Sequence, residues 1–428
     1  MQLLRGYCAV VLMLLVCGTN LQAQSEAGSS SPQPRARDLG IPFDGTPGPF
    51  NAITDVKGVE VGYKTLISGE GKLVIGKGPV RTGITAILPR GKKGTQSVFA
   101  GFFAGNGNGD MTGTHWIDES GVLETPILIT NTNSVGVVRD AAIAWMVQQN
   151  RPGDFWYPIS AETADVPLND IKGQHVSAQD AWDALNSAVG GSILEGNVGG
   201  GTGMICNGFK GGTGTASRKL TAEDGGFTVG VLVQCNYGSS QQLRIAGIPV
   251  AREMTLQRPC VEKQVDPPTL EWDGKPASAC DPKTVSTADG MRTPEEGSII
   301  VIVSTDAPLM PDQLKRLARR VSLGLGRAGS IEGDESGDLF LAFSTANPGA
   351  DEGNSSHNYY PLKTASVQRL ASWYLDPIFA AVTQATEEAV DNVLVAAKSM
   401  TGANYWVVPA LPQDQLKVIL RKHNVLKQ

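Results

Sequence analysis

The amino-acid sequence predicts a layered α/β fold in which β-sheets are covered by helices. Strand-like runs open both the N-terminal and the C-terminal part of the chain, and helical patterns collect behind them. The 428 residues are enough for two or three average domains or for one large layered domain. The composition is ordinary apart from 51 glycines, and the formal net charge of −6 gives no indication of a nucleic-acid or anionic-membrane partner.

The first 23 residues have the pattern of a secretory signal peptide. Arg5 is followed by an apolar core from Cys8 to Val16 and by a polar end, so we expect cleavage after Ala23 rather than a membrane span. Val16 stands where a small residue would precede a lipidated Cys17, which argues against a lipoprotein. Residues 24–37 are rich in Ser and Pro and are expected to form a flexible leader. The sequence therefore predicts an exported protein, periplasmic or secreted, with one domain over residues 38–428.

From Asp38 onward the chain contains both strand-like and helical patterns. Apolar, β-branched runs bounded by turn residues predict strands, and apolar residues spaced along one face predict helices. Asn133 and Ser134 are placed to cap a helix. The predicted strands are Val59–Tyr63, Val80–Leu88, Ser97–Ala104, Pro126–Thr130, Phe227–Cys235, Ile248–Met254, Ile299–Val303 and Leu339–Phe343. The predicted helices are Val135–Gln149, Ser177–Val189, one that Pro311 opens, Val367–Tyr374, Ile378–Met400 and Gln413–His423.

Three segments are predicted to lack regular structure. Gly105–Asp110 is too rich in glycine. Gly196–Ala216 favours packed turns or backbone that lines a pocket, because it has neither a P-loop lysine nor a βαβ frame for a nucleotide. Gln257–Arg292 is predicted to be an exposed loop, functional or cut. Cys260 and Cys280 bracket its Pro- and Asp-rich part and are the favoured disulfide pair among the four cysteines left after the signal peptide.

The dipeptide Gly297-Ser298 before an Ile/Val strand is the candidate catalytic centre. Gly297 has no Cβ, so its carbonyl can be approached closely and its backbone can take strained angles. If the Ser298 hydroxyl attacks that carbonyl and the ester hydrolyses, the new chain begins with a serine that carries a hydroxyl and an α-amine. An α-amine titrates near ~8 and can serve as the base. A Gly-Ser turn is the structural alternative.

Other residues offer the remaining parts of such a site. Ser336 and Asp338 project to one side of an extended chain and can relay toward Ser298, or can form a simple Asp/Ser turn. Asn236 at a strand end offers an oxyanion donor, and Glu162 can hold a substrate ammonium; a turn asparagine and an exposed carboxylate are the alternatives. The chain has four histidines and no G-x-S-x-G elbow, so a Ser-His-Asp triad is possible but no motif in the sequence indicates one. No zinc spacing occurs, and no cofactor or metal is expected.

Several long segments closely resemble the β-peptidyl aminopeptidase and L-aminopeptidase/D-esterase family of self-processing serine peptidases. The resemblance runs from about Asp38 to the C-terminus and implies a four-layer αββα sandwich, similar to N-terminal nucleophile hydrolases but differently connected. It also implies cleavage at Gly297-Ser298 into chains 24–297 and 298–428, which assemble as a homotetramer. Ser298 would be the nucleophile, Ser336 and Asp338 its orienting partners, Asn236 an oxyanion donor and Glu162 the ligand of the substrate amine. The segments are ARDLGIPFDGTPGPFNAITDVKGVEVGY, GNVGGGTGMICNGFKGGTGTASR, LVQCNYG, EEGSIIVIVSTDAPLMPDQLKRLARR and SGDLFLAFSTAN.

The sequence departs from the family pattern at two places. Ala164 stands where an aromatic residue, often tyrosine, is expected near the oxyanion site, and the loop at residues 257–292 is longer than usual. The expected function is an aminopeptidase or amidase that releases N-terminal residues, including β- or D-residues, from short peptides, amides or esters. The alternatives are an acyltransferase similar to self-processing ornithine acetyltransferases, whose nucleophile is usually Thr, and a processed but inactive exported binding protein.

Overall fold

The computed structural model describes residues 34–271, 274–281, 295–349 and 364–426. The predicted signal peptide and the leader up to residue 33 lie outside these ranges. The strands are β1 (Glu60–Ser68), β2 (Val80–Leu88), β3 (Val98–Gly107), β4 (Val122–Leu123), β5 (Ile127–Thr130), β6 (Ile159–Glu162), β7 (Ile205–Cys206), β8 (Phe209–Lys210), β9 (Gly212–Lys219), β10 (Thr228–Tyr237), β11 (Cys260–Val261), β12 (Glu296–Thr305), β13 (Glu335–Ser344), β14 (Met400–Thr401) and β15 (Trp406–Val408). The α-helices are α1 (Thr114–Ser120), α2 (Val135–Gln148), α3 (Ala178–Ser187), α4 (Pro311–Ala318), α5 (Val321–Ala328), α6 (Asp376–Ala396) and α7 (Gln413–Lys422).

Two sheets form the middle of the molecule. One has four strands in the order β1-β2-β5-β6, and the other has six in the order β4-β3-β13-β12-β10-β9. Within the larger sheet, β12 runs parallel to β13 and antiparallel to β10. Strand β12, which contains the Gly297-Ser298 dipeptide near its start, therefore lies in the interior of the larger sheet.

Three apolar cores separate four layers. Helices α2 and α3 pack on the outer face of the four-stranded sheet, and α4, α5, α6 and α7 pack on the outer face of the six-stranded sheet. The third core lies between the sheets, where Ile87 and Ile129 of the smaller sheet meet Ile300 and Leu341 of the larger one. The observed architecture is the αββα sandwich, because each sheet buries both of its faces.

The side chains of β12 divide between two cores. Ile299 and Val301 belong to the helix-side core, whereas Ile300 and Ile302 belong to the core between the sheets. This follows from the period of two along a strand, and it explains why the run is apolar at every position. Ser298 shares the parity of Ile300, so its side chain points toward the second sheet.

The packed part of the structure already includes residues 35–37, which precede the predicted start of the domain at Asp38. Residues Ala36–Leu39 form a short 3-10 helix, and Ala36 is fully buried. Arg37 donates two hydrogen bonds to Glu388 on α6, at 2.7 and 2.8 Å. The expectation of a flexible leader through residue 37 is therefore wrong for its last residues, whose arginines have buried carboxylate partners.

The segment predicted as one exposed loop, Gln257–Arg292, contains packed structure in its described part. Strand β11 pairs with β15, and Val261 is buried with Trp406 and Val408 in a small separate core. A disulfide joins Cys260 to Cys280, the pair that the sequence singled out. Two further cysteines, Cys206 and Cys235, also form a disulfide, which the sequence analysis did not single out.

Two predictions of secondary structure were wrong. One was a strand in an apolar run that has no neighbouring strand, and the other was a helix for which apolar spacing was the only indication. Ile248–Met254 holds only a 3-10 turn at Val250–Arg252, and Val367–Tyr374 is irregular before a 3-10 turn at Ser372–Tyr374. Ser134 makes no side-chain cap bond to α2. Among the described residues, no helix combines the length and apolar character needed to cross a membrane.

Candidate active site

Ser298 is the third residue of β12 and is only 7% exposed. In the sheet it pairs with Asn236 of β10 on one side and with Gly337 of β13 on the other. A Cβ atom built on Gly337 would lie 2.9 Å from Ser298 Oγ. The serine hydroxyl therefore lies over a glycine backbone, which leaves it room that any other side chain at position 337 would take.

Gly297 precedes Ser298 in a conformation that favours glycine. Its φ angle is +106°, and a Cβ atom there would lie 1.9 Å from the backbone oxygen of Asn236. Such a distance is a severe overlap, and the positive φ adds backbone strain for any L side chain. The structure describes the uncleaved chain, so this is the geometry of the peptide bond before any cut. The sequence expectation that Gly297 supplies unusual backbone angles and close approach agrees with it.

Asn236 lies at the end of β10 with its side-chain amide held at both ends. Its Oδ1 accepts a hydrogen bond from the Ile205 backbone N–H at 2.8 Å, and its Nδ2 donates to the Ala164 carbonyl at 2.9 Å. The bond to Ala164 uses one of the two amide hydrogens. The disulfide between Cys206 and Cys235 joins the residues next to Ile205 and Asn236. Because Asn236 is the strand partner of Ser298, its amide can act as an oriented donor beside the serine.

Ser336 and Asp338 lie on β13, both fully buried. The Ser336 hydroxyl donates to Asp338 Oδ1 at 2.7 Å, as expected for residues two apart on a strand. They share the parity of Phe340, which belongs to the helix-side core, and so face away from the Ser298 side chain. Since Gly337 between them is the strand partner of Ser298, the pair flanks the backbone of Ser298 rather than its hydroxyl.

Asp338 has an unusual protonation equilibrium. Burial raises the pKa of its carboxyl to about 7, nearby Glu332 and Glu295 raise it further, and the bond from Ser336 opposes the rise. Its Oδ2 atom has no hydrogen-bond partner among the described residues. The carboxyl therefore has unused capacity to accept a proton or a hydrogen bond at the level of the Ser298 backbone.

Glu162 ends β6 on the smaller sheet, and its carboxylate lies against Gly109 and Asp110. Its Oε1 accepts from the Asp110 backbone N–H at 2.9 Å, and its Oε2 accepts a short hydrogen bond from the Thr132 hydroxyl. Burial raises its pKa, although these two bonds oppose the rise. A Cβ atom built on Gly109 would lie 3.2 Å from Glu162 Oε1 and 3.5 Å from Gly337 Cα. Gly109 lies next to both Glu162 and Gly337, and Gly337 lies next to the Ser298 hydroxyl. Glu162 and Ser298 are therefore on either side of the contact between these two glycines, and the structure brings them into the same site.

The segment Gly105–Asp110 has a larger part in the site than the sequence analysis gave it. Strand β3 continues through Gly107, so the expectation that the segment lacks regular structure is wrong for its first half. The Asn106 side chain donates to the carbonyls of Gly333 and Asp334, each at 3.0 Å, and makes a short bond to that of Ser336. The alternation of Gly and Asn was the available signal, since it combines close backbone approach with side-chain amides that bind a neighbouring chain.

The segment Gly196–Ala216 forms tight turns and the two-residue strands β7 and β8, in keeping with the packed-turn interpretation, whereas its last five residues begin β9 of the larger sheet, which was not predicted. Lys210 within it is fully buried and donates to the carbonyls of Met204 at 2.7 Å and Gly211 at 2.8 Å. Burial lowers its pKa to about 7. Lys210 therefore holds together the backbone around Ile205, whose N–H donates the hydrogen bond to Asn236.

No histidine among the described residues has a hydrogen bond that joins it to Ser298. His175 is bonded to Asp170 at 2.8 Å, His423 is bonded to Glu253, and His115 packs edge-on against Tyr157. His357 lies outside the described residues. Within the same ranges, no cluster of three or more His, Cys, Asp or Glu residues is arranged to hold a metal ion.

Comparison with known proteins identifies relatives over nearly the whole chain. The family model described as peptidase family S58 matches residues 51–408. The β-peptidyl aminopeptidase BapA of Sphingosinicella microcystinivorans is 49% identical over 403 residues, which cover 94% of this chain and 95% of that protein.

Two solved structures share the fold. A β-aminopeptidase from a Burkholderia species aligns with a TM-score of 0.76 and 43% identity, over 91% of this chain and 99% of that one. The L-aminopeptidase D-Ala-esterase/amidase of Ochrobactrum anthropi aligns with a TM-score of 0.76 and 42% identity, over 92% of this chain and all of that one. The latter is described as a prototype of the serine aminopeptidases and as a new variant of the Ntn hydrolase fold. The αββα sandwich of the present chain is therefore of this variant type.

Proposed function

The chain belongs to peptidase family S58 and is a peptidase, and on that premise we propose that it is an exported, self-processing serine aminopeptidase. It would release N-terminal residues from short peptides, amides and esters through an acyl-enzyme on Ser298. The observation that carries the proposal is that the neighbouring strands β10, β12 and β13 hold the candidate residues at the same level of the larger sheet. Ser298 lies between Asn236 and Gly337, and Gly337 lies between Ser336 and Asp338.

The first step is cleavage of the chain by its own serine. The Ser298 hydroxyl attacks the Gly297 carbonyl, the bond between that carbonyl and the Ser298 nitrogen breaks, and the hydroxyl proton ends on the nitrogen. Water then hydrolyses the resulting ester, which leaves Gly297 as a carboxylate and Ser298 with a free hydroxyl and α-amine. Gly297 suits this step because its carbonyl is exposed to attack without a side chain, at a φ of +106°.

The same serine then acts on substrates. Its α-amine takes the hydroxyl proton as Ser298 attacks the substrate carbonyl, and it returns that proton to the leaving amine. The Asn236 amide stabilises the oxyanion, an effect for which one donor is typically worth about 3 kcal/mol. Water enters as the second nucleophile and releases the acyl group. Asp338 and Ser336 orient the α-amine, and the unpartnered Oδ2 of Asp338 supports this role because a new ammonium would supply its missing donor.

Glu162 gives the preference for a free N-terminal amine. Its carboxylate is buried beside Gly109, one contact away from the backbone under Ser298, and it is held by Asp110 and Thr132. A substrate ammonium that binds there would offset the cost of keeping this carboxylate ionised inside the protein. The activities of the relatives, named as β-peptidyl aminopeptidase and L-aminopeptidase D-Ala-esterase/amidase, favour substrates with β- or D-residues alongside L-residues.

Export and assembly complete the proposal. Two disulfides among the described residues support a periplasmic or secreted location, because disulfides persist in oxidising compartments. The predicted signal peptide, cleaved after Ala23, accounts for that export. A homotetramer of processed heterodimers is the assembly that we expect in solution.

The test is the intact mass and the N-terminal sequence of the purified wild-type protein and of Ser298→Ala. Wild type should give two chains, one of which begins at Ser298, and should hydrolyse an aminoacyl amide. The alanine variant should remain one uncut and inactive chain. Two chains from the variant, or one uninterrupted active chain from wild type, would refute the mechanism.

A further inference from the structure

Glu295 is a buried carboxylate just before the proposed cleavage site that the mechanism above does not use. It lies three residues ahead of Ser298 and is 5% exposed. Its Oε2 accepts a hydrogen bond from the Ile331 backbone N–H at 2.8 Å, and its Oε1 accepts a short bond from the Ser330 hydroxyl. Charged acceptors of this kind form the stronger hydrogen bonds in proteins.

The residues that bind Glu295 belong to the connection between α5 and β13. The Ser330 backbone N–H donates to the Leu325 carbonyl at 3.0 Å, which fixes this connection to the end of α5. At its other end, the Ser336 N–H donates to the Gly333 carbonyl at 2.9 Å. A Cβ atom on Gly333 would lie 2.8 Å from the Glu295 carbonyl oxygen, so the two backbones are in direct contact. The connection that receives the glutamate therefore also leads into Ser336 and Asp338.

From these contacts we propose that Glu295 is a positioning residue for self-cleavage, which holds the residues before the scissile bond against the strand that carries Ser336 and Asp338. The inference rests on the proposed self-processing of Gly297-Ser298. Glu295 fixes the chain on the N-terminal side of Gly297, and the pairing of β12 with β10 and β13 fixes it on the C-terminal side. Gly297 between these two fixed points keeps its positive φ, and its carbonyl stays within reach of the Ser298 hydroxyl.

The neighbouring Glu296 provides a matched control. It carries the same charge one residue closer to the cut, but it is only partly buried and pairs in the sheet with Glu335, a like charge. Burial and the charge of Glu335 raise its pKa. Replacing it with glutamine removes a charge from the same segment without removing the bonds that Glu295 makes.

The experiment follows self-cleavage of the full chain after synthesis in a cell-free system, by intact mass against time. Glu295→Ala should slow the appearance of the small chain by at least about tenfold, equivalent to about 1.4 kcal/mol in activation free energy. Glu295→Gln keeps the shape and one acceptor and should recover part of the rate. Ser330→Ala removes one of the two bonds without a change of charge and should give an intermediate rate, whereas Glu296→Gln should cleave like wild type.

Two further readouts separate positioning from stability. The melting temperature of Glu295→Gln should stay within a few degrees of wild type, and the kcat of its processed fraction should match that of wild type. If wild type cleaves itself, and Glu295→Ala and Ser330→Ala cleave at the same rate, the inference is overturned and the proposed function still stands. Wild type that never cleaves would overturn both. If Glu295→Ala fails to fold, a normal rate in Glu295→Gln and Ser330→Ala is sufficient to overturn the inference.

Discussion

The buried carboxyl of Asp338 should make the uncleaved protein less stable as the pH rises. Its pKa in the folded chain is about 7, against ~3.9 in an unfolded chain. Because the folded state binds the proton more tightly, its contribution to stability is complete below pH ~4 and is lost as the pH rises to about 7. A difference of about three pKa units corresponds to an upper limit of about 4 kcal/mol in the free energy of unfolding.

The perturbation is Asp338→Asn in the uncleavable Ser298→Ala background, with Ser298→Ala alone as the reference. Asparagine cannot ionise, so the difference in unfolding free energy between the two proteins should shift in favour of asparagine by up to about 4 kcal/mol between pH 4 and pH 8. Any constant cost of burying the new amide cancels in this comparison. Urea unfolding at the two pH values measures the shift. A shift below about 1 kcal/mol, or one in favour of aspartate, would refute the reasoning, since it would mean that the carboxylate is already stabilised in the uncleaved chain.

Processed wild type is the natural counterpart of that experiment. The proposed cleavage would place an α-ammonium at the level of Asp338, and a neighbouring cation favours the ionised carboxylate. The loss of stability between pH 4 and pH 7 should therefore be smaller in cleaved wild type than in uncut Ser298→Ala. The other buried acids are common to both proteins, and the change with pH is compared at one protein concentration because unfolding of the cut protein also separates its two chains.

Three further predictions follow from the site and its supports. Asn236→Ala should lower kcat by about 10²–10³ with little change in KM, because the lost donor acts on the oxyanion; equal changes in both would contradict this role. Glu162→Ala should lower kcat/KM for substrates with a free amine far more than for N-acetylated ones, and equal losses would remove its assignment. Glu388→Gln leaves the buried Arg218 without its ion-pair partner at 2.8 Å and should destabilise the protein by about 3–5 kcal/mol in urea unfolding. Glu387→Gln, next to it, removes a pair at 2.9 Å with the exposed Arg327 and should cost much less.

The sequence predicted the elements whose patterns are set by burial on both sides. Val80–Leu88 was predicted with the observed bounds, because its β-branched and apolar residues, interrupted only by Arg81 and Gly83, favour a buried strand. Ile248–Met254 also contains several apolar residues, but its backbone pairing is limited to an isolated bridge between Ile245 and Ile248, and composition alone does not report that. Whether such a segment forms a strand depends on partners that are distant in the sequence, and a local sequence pattern does not identify them.

The chemistry of the site was predictable in kind but not in placement. Residue type and position made Ser298, Asn236, Ser336, Asp338 and Glu162 candidates, and the family resemblance implied their roles. In the structure Ser298 pairs with Asn236 on one strand and with Gly337, between Ser336 and Asp338, on the other. That Ser336 and Asp338 face away from the serine side chain depends on the register between β12 and β13, which no local pattern reveals. The support from Asn106 was missed for the same reason, since its hydrogen bonds join residues more than 200 positions apart in the chain.

The order β4-β3-β13-β12-β10-β9 has a consequence for the life of the molecule after a cut at Gly297-Ser298. The two strands that the C-terminal piece contributes to this sheet, β12 and β13, would remain between strands of the N-terminal piece, and neither piece could leave without breaking the pairing of β13 with β3 and of β12 with β10. Before the cut, refolding is a property of one chain and independent of concentration. Afterwards it requires two separate polypeptides to meet, so maturation would turn a reversible folding reaction into a one-way assembly whose lifetime is set by the rate of unfolding.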